Sequence, residues 1–283
     1  MITADEVVDD IAKGVREALR TRVFLLGAEA IDFHHPEIRP EYLVTVEVAK
    51  QMGRMDRVIG LETLMNDLRK NAQRKAVFLA NNISSKFVRS KQERISLKAQ
   101  RDARILEIER IVSDPKYQFS PSARGRKRVD IVVFTSDPSE LPLLISEAKL
   151  GSQTADAIIA DIDRVVTLLQ MHRDLGFNEN IYGAVFFYKM TKGGSISDVQ
   201  RDSSVLLARI NSHLCDKKSD PNNKWLKFKA DLLTRENYSE PIQAYEELHD
   251  DGSSEMVFTR QGFAFAPGLV LLGQADDVET VPF

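Results

Sequence analysis

One stretch constrains this chain more than any other. Between residues 129 and 188 two short strand-like runs, a turn, a long amphipathic helix and an almost wholly apolar segment follow one another. Residues 129–134 are rich in Val, Ile and Phe, and residues 135–142 carry the Ser/Asp/Pro chemistry of a turn. Residues 143–150 form a second run, closed by Gly151. From Asp156 to Leu175, Ile158, Ile162, Val165 and Leu169 recur at helical spacing. Residues 181–188 lack the polar alternation of a half-exposed strand, as expected of one buried on both faces. Helices bracketing strands in this order predict an α/β fold with a mixed sheet between helical layers.

The flanks extend the pattern. Val8, Ile11, Val15 and Leu19 predict a helix over 5–20. After a loop with Asp32, His34, His35 and Pro36, Pro40 suits the first turn of a second helix, whose face is Leu43, Val46, Val48 and Met52. A short strand is expected over 58–61 and a helix through Leu64 and Leu68. Ile95, Leu97, Ile105, Ile108 and Val112 mark a charged helix over 90–113, closed by Asp114-Pro115. Further on, 203–215 reads as a helix and 216–224 as polar connection; 256–259 with 263–272 reads as a late hairpin. The domain reading is an N-terminal helical segment over 1–40, a core over 41–215 with a basic helical insertion near 86–128, and a C-terminal extension over 216–283.

Charge and composition narrow the function classes. No apolar run approaches the ~18–20 residues that cross a bilayer. The start, Met1-Ile2-Thr3-Ala4-Asp5-Glu6, has acids where a signal peptide carries basic residues. A single cysteine, Cys215, excludes an intrachain disulfide framework and a cysteine-rich zinc site, so a reducing cytoplasm is the expected compartment. His172, Trp225 and Cys215 have no chemical companions in sequence and read as structural. The formal net charge is only −3. Even so, 86–128 holds 13 Lys/Arg against 5 Asp/Glu, and 236–283 holds one basic residue against 10 acids. A basic segment in a mildly acidic chain points to a polyanionic partner.

The chemistry concentrates on the two runs. Strand pleating sets Asp130, Val132 and Phe134 on one face of the first, and Leu143, Ile145, Glu147 and Lys149 on one face of the second. If they pair across the turn, two carboxylates and an ammonium group converge at the end of apolar strands. Such a cluster is costly unless partnered or metal-bound. Hard oxygen ligands suit magnesium, which keeps several waters and takes one or two protein carboxylates. The alternative is a hairpin in which Glu147 and Lys149 form a surface ion pair.

Val129-Asp130, sixteen intervening residues and Glu147-Ala148-Lys149 together resemble the PD-(D/E)xK nuclease superfamily, over roughly residues 40–190. Val129 stands where the family's first motif has proline. The resemblance implies a restriction-endonuclease-like α/β/α core with N-terminal helices and a C-terminal extension. It implies Mg²⁺-dependent phosphodiester hydrolysis, with Mn²⁺ as an alternative ion, most of all as a DNA endonuclease in a bacterial restriction or defence setting. Asp130 and Glu147 would hold metal and Lys149 would assist the attacking water. Family members often add an acid from an upstream helix: Glu41 is the first candidate, Glu62 the second and Glu47 the third. Arg124, Arg126, Lys127 and Arg128 precede Asp130 closely enough to grip backbone phosphates, or else form a solubilising loop. Asp161 and Arg164 read as surface or sheet-edge pairs on the polar side of their helix. The rival functions are a non-cleaving nucleic-acid-binding or assembly module and a ribonuclease. A homo-oligomer or protein partner is compatible with either.

Overall fold

The computed structural model describes residues 2–26, 40–54, 56–84, 90–119, 127–135, 140–149, 154–177, 181–192, 196–233, 244–249, 251–258 and 263–283. It is an α/β protein. Among the described residues its central sheet has six strands: β1 (Val58–Leu64), β2 (Arg128–Phe134), β3 (Pro142–Lys149), β4 (Tyr182–Lys192), β5 (Lys227–Leu232) and β8 (Phe263–Gly273), in the order β1-β2-β3-β4-β8-β5. β3 and β4 run parallel and every other neighbouring pair is antiparallel, so the sheet is mixed as expected. A separate two-stranded ribbon pairs β6 (Ala244–Leu248) with β7 (Ser254–Phe258).

Pleating divides the core into two layers. One face presents Ile131, Val133, Leu144, Ala148, Ala184 and Phe186 to α1 (Ala4–Leu26), α2 (Pro40–Met52) and α7 (Asp277–Thr280). The other presents Val132, Phe134, Ile145, Val185 and Phe187 to α3 (Met65–Ser84), α4 (Lys91–Ser113), α5 (Ala155–Asp174) and α6 (Ile196–Ser219). β4 explains its own apolarity: Ala184, Val185, Phe186 and Phe187 are all buried, alternately against the two layers. α1 and α2 cross so closely that a Cβ at Gly14 would lie 2.3 Å from the Cα of Val48. The close approach needs glycine there. Among the described residues no helix is long and apolar enough to cross a membrane.

Several sequence expectations change. The late hairpin is not one: β7 pairs with β6, whereas β8 inserts between β4 and β5. An apolar run such as Leu269–Leu272 is buried from both sides only in a central position, so β8 is drawn inward instead of closing a local turn. The 216–283 stretch thus supplies two strands to the main sheet. β5 escapes sequence reading because it is a half-exposed edge strand with no apolar run. The helical insertion between β1 and β2 begins at Met65, well before the expected basic segment, as an α3–α4 pair. In α4 only Ile108, Ile111 and Val112 are buried and Ile95 is exposed, because its N-terminal half extends past the core.

Candidate active site

Asp130 and Glu147 come together through strand register. The β2–β3 pairing runs Val133↔Leu144, Val132↔Ile145 and Ile131↔Ser146, so the next position in that register sets Asp130 against Glu147. Asp130 follows the parity of Val132, and Glu147 and Lys149 follow that of Ile145, so all three side chains emerge on the α5 side. Backbone pairing stops at Ile131↔Ser146. Beyond it Asp130 Oδ2 accepts the backbone N–H of Ala148 at 2.8 Å, which ties the carboxylate across the strand ends. A hairpin carrying only a surface ion pair is therefore not what forms: Glu147 is 2% exposed.

Helix α5 closes the site from above. Thr154 caps it, its side-chain oxygen accepting the N–H of Ala157 at 3.4 Å. Ile158, Ile162, Val165 and Leu169 face the sheet as expected. Asp161 and Arg164, read from sequence as surface or sheet-edge pairs, stand in the cluster. Asp161 is 2% exposed, and its Oδ2 lies 2.9 Å from Lys149 Nζ. Arg164 donates to Glu147 Oε1 at 2.9 Å and also pairs with Asp161 Oδ1. At ~100° per residue Asp161 lies about 70° off the centre of the apolar stripe. That flank is solvated on an isolated helix. Here it is covered because the ends of β2 and β3 lie beneath it. The i,i+3 spacing of an acid and a base on the helix following Glu147-Ala148-Lys149 was the available signal.

Electrostatics follow from burial. Burial, reinforced by the Asp130 carboxylate, pushes Glu147 well above the ordinary carboxylate range, although Arg164 works the other way. Burial likewise raises Asp161 against the opposing effects of Arg164 and Lys149. For Arg164, burial disfavours the cation, but Glu147 and Asp161 outweigh it and raise its pKa. Counted formally, Asp130, Glu147 and Asp161 bring three negative charges against the two positive charges of Lys149 and Arg164.

The remaining candidates separate. Glu41 belongs to α2, which packs on the opposite face through Val44, Val48 and Met52; its side chain lies outside the described residues. Glu47 is mostly buried on that same helix and pairs with Lys50 at 2.6 Å. Glu62 lies between Leu61↔Ile131 and Thr63↔Val129, the position facing Asp130, and has φ of 53°. That left-handed conformation is uncommon for a glutamate and interrupts the ladder. Its exposed carboxylate turns to Arg128, 3.5 Å away. Lys127 and Arg128 are exposed at the mouth of β2, whereas Arg124 and Arg126 lie outside the described residues, as do His34 and His35. His172 is structural, fully buried with Nδ1 2.8 Å from the Leu168 carbonyl.

Among the described residues no three His, Cys, Asp or Glu side chains stand close enough together to hold a metal ion. The donors that do share a face, Asp130 and Glu147, are hard oxygens, and two carboxylates match magnesium's sparse protein coordination. Compared with protein-family models, curated proteins and solved structures, the chain matches none.

Proposed function

We propose that this chain is a metal-dependent nuclease of the PD-(D/E)xK type, hydrolysing phosphodiester bonds, with DNA as substrate and a bacterial restriction or defence role. The observation that carries the proposal is the convergence of Asp130, Glu147 and Lys149 on one sheet face at paired strand ends. The surrounding order, α2-β1-α3-α4-β2-β3-α5-β4 with β3 and β4 parallel, supports the reading as a restriction-endonuclease-like core in which the α3–α4 pair is inserted between β1 and β2.

In this proposal Asp130 and Glu147 hold Mg²⁺ or Mn²⁺. Such an ion supplies a more acidic water and neutralises charge on the phosphate. Asp130 is preset by its bond to the Ala148 N–H. Lys149 orients the attacking water and stabilises the negative charge that develops as the P–O bond breaks. Burial of Glu147 and Asp161 makes each of these interactions stronger than it would be in water. Lys127 and Arg128, with Arg124 and Arg126, supply sequence-independent phosphate contacts.

One observation favours a second reading, a nucleic-acid-binding or assembly module that does not cleave: Glu147 and Lys149 are ion-paired to Arg164 and Asp161 of α5. Asp130→Ala separates the two. Wild-type protein is incubated with plasmid, linear and single-stranded DNA and with RNA, in Mg²⁺, Mn²⁺ or EDTA. The nuclease reading expects metal-dependent cleavage that Asp130→Ala abolishes while folding and much of the nucleic-acid binding persist. Cleavage by folded Asp130→Ala at the wild-type rate refutes it. Binding without cleavage under every metal and substrate favours the module, and a preference for RNA reassigns the substrate.

A further inference from the structure

The five charges at the end of β2 and β3 include a chain of contacts running from Glu147 to Arg164, to Asp161 and to Lys149. Its members are unequally accessible. The carboxylates of Glu147 and Asp161 are sealed, with side chains 2% and 3% exposed, whereas the Arg164 side chain is 35% exposed. The anions are thus fixed by the fold, and of the two cations Arg164, which lies between them, is more exposed than Lys149, whose side chain is 20% exposed. The Arg164 hold is also incomplete: its buried Nε has no hydrogen-bond partner among the described residues. Buried carboxylates need a counter-ion; at Glu147 a divalent cation shared with Asp130 can take the place of the guanidinium, while Asp161 keeps Lys149.

We propose that Arg164 is the resident counter-ion of Glu147 and Asp161 and that a divalent cation displaces it, while Asp161 remains as the positioning residue that holds Lys149 beside the reacting centre. The proposal rests on the nuclease reading of this site. Displacement turns the half-buried Arg164 guanidinium outward at the mouth where the phosphodiester must enter. Its planar fork of donors then fits two phosphate oxygens. Arg164 therefore has opposite effects on the two halves of the reaction. It competes with metal before binding and assists the phosphate after it.

Arg164→Gln takes the formal balance of the cluster from −1 to −2 and removes the competitor. Mn²⁺ binding is measured by calorimetry and by electron paramagnetic resonance on wild type, Arg164→Gln and Arg164→Lys. Thermal unfolding is followed in EDTA and in Mn²⁺. The expected result is Mn²⁺ binding at least about threefold tighter in Arg164→Gln, with a smaller gain in Arg164→Lys, whose single point charge replaces the fork. The melting temperature of Arg164→Gln falls in EDTA and is largely restored by Mn²⁺, and its cleavage is slower despite the tighter metal. A merely structural arginine would lower the melting temperature equally in both conditions and weaken the metal. Folded Arg164→Gln with unchanged or weaker Mn²⁺ affinity overturns the inference and leaves the nuclease reading standing. Wild type that binds no Mn²⁺ overturns both. If Arg164→Gln folds in neither condition, Arg164→Lys decides: Mn²⁺ affinity equal to wild type overturns the exchange.

Discussion

Replacing Gly183 by alanine tests how closely α5 must approach the sheet for the site to exist. Gly183 lies on β4 between Ile145 of β3 and Leu272 of β8. A Cβ there would meet Val165 Cγ1 at 2.4 Å and Leu169 Cδ1 at 3.0 Å, both on α5. Carbon atoms settle at about 3.5–4.0 Å, so the helix must retreat by roughly 1.1–1.6 Å. Val165 cannot simply rotate away, because a β-branched side chain in a helix has essentially one rotamer and this one is fully buried. Arg164 is its neighbour in the chain, and its 2.9 Å bond to Glu147 would stretch to about 4 Å, beyond hydrogen-bonding range. Overpacking of this kind costs about 1–3 kcal/mol, or a fall in melting temperature of about 2–5 °C for a chain of this length. Misplacing the site by about an ångström costs up to about 10²-fold in rate. Differential scanning calorimetry and a cleavage assay measure the two effects. Gly53→Ala is the control, since its nearest atoms stand at 3.5 Å and the change is ordinary contact. Gly183→Ala with wild-type melting temperature and wild-type cleavage rate would refute the close approach as the determinant of the site.

Two other expectations concern charge. Converting Arg124, Arg126, Lys127 and Arg128 to alanine should weaken nucleic-acid binding and reduce the slope of log affinity against log salt, by about 0.7–0.9 for each phosphate no longer neutralised; fluorescence anisotropy across a salt series that gives an unchanged slope would show a solvated loop. Burial lowers His172 to about 4, from 6.5, so the unfolded chain binds more protons between those values. Stability is then fully present above pH 6.5 and is lost as pH falls toward 4. The loss is on the order of 3 kcal/mol. Urea denaturation from pH 7.5 to 4 should show this dependence, and a folded His172→Gln variant should flatten it; equal pH slopes would assign the acid sensitivity elsewhere.

Local pattern by itself determined much of this protein. Periodicity marked α5 through Ile158, Ile162, Val165 and Leu169, and unbroken apolarity marked β4, because helical and pleated backbones impose repeats that a chain must satisfy residue by residue. Strand parity sufficed to put Asp130, Glu147 and Lys149 on one face once their strands paired across a turn. What tertiary structure alone decided was who stands beside whom across the sheet. β8 sits next to β4 and not in a hairpin with β7, because burial on both faces is a property of the whole sheet. Glu62 faces Asp130 across a break in the ladder, at a distance in sequence that no local rule measures. Asp161 and Arg164 belong to the site because the ends of β2 and β3 pass beneath the flank of α5. On its own that helix would leave both in water. Only the packed sheet makes them neighbours of Glu147 and Lys149, and only burial makes their charges matter.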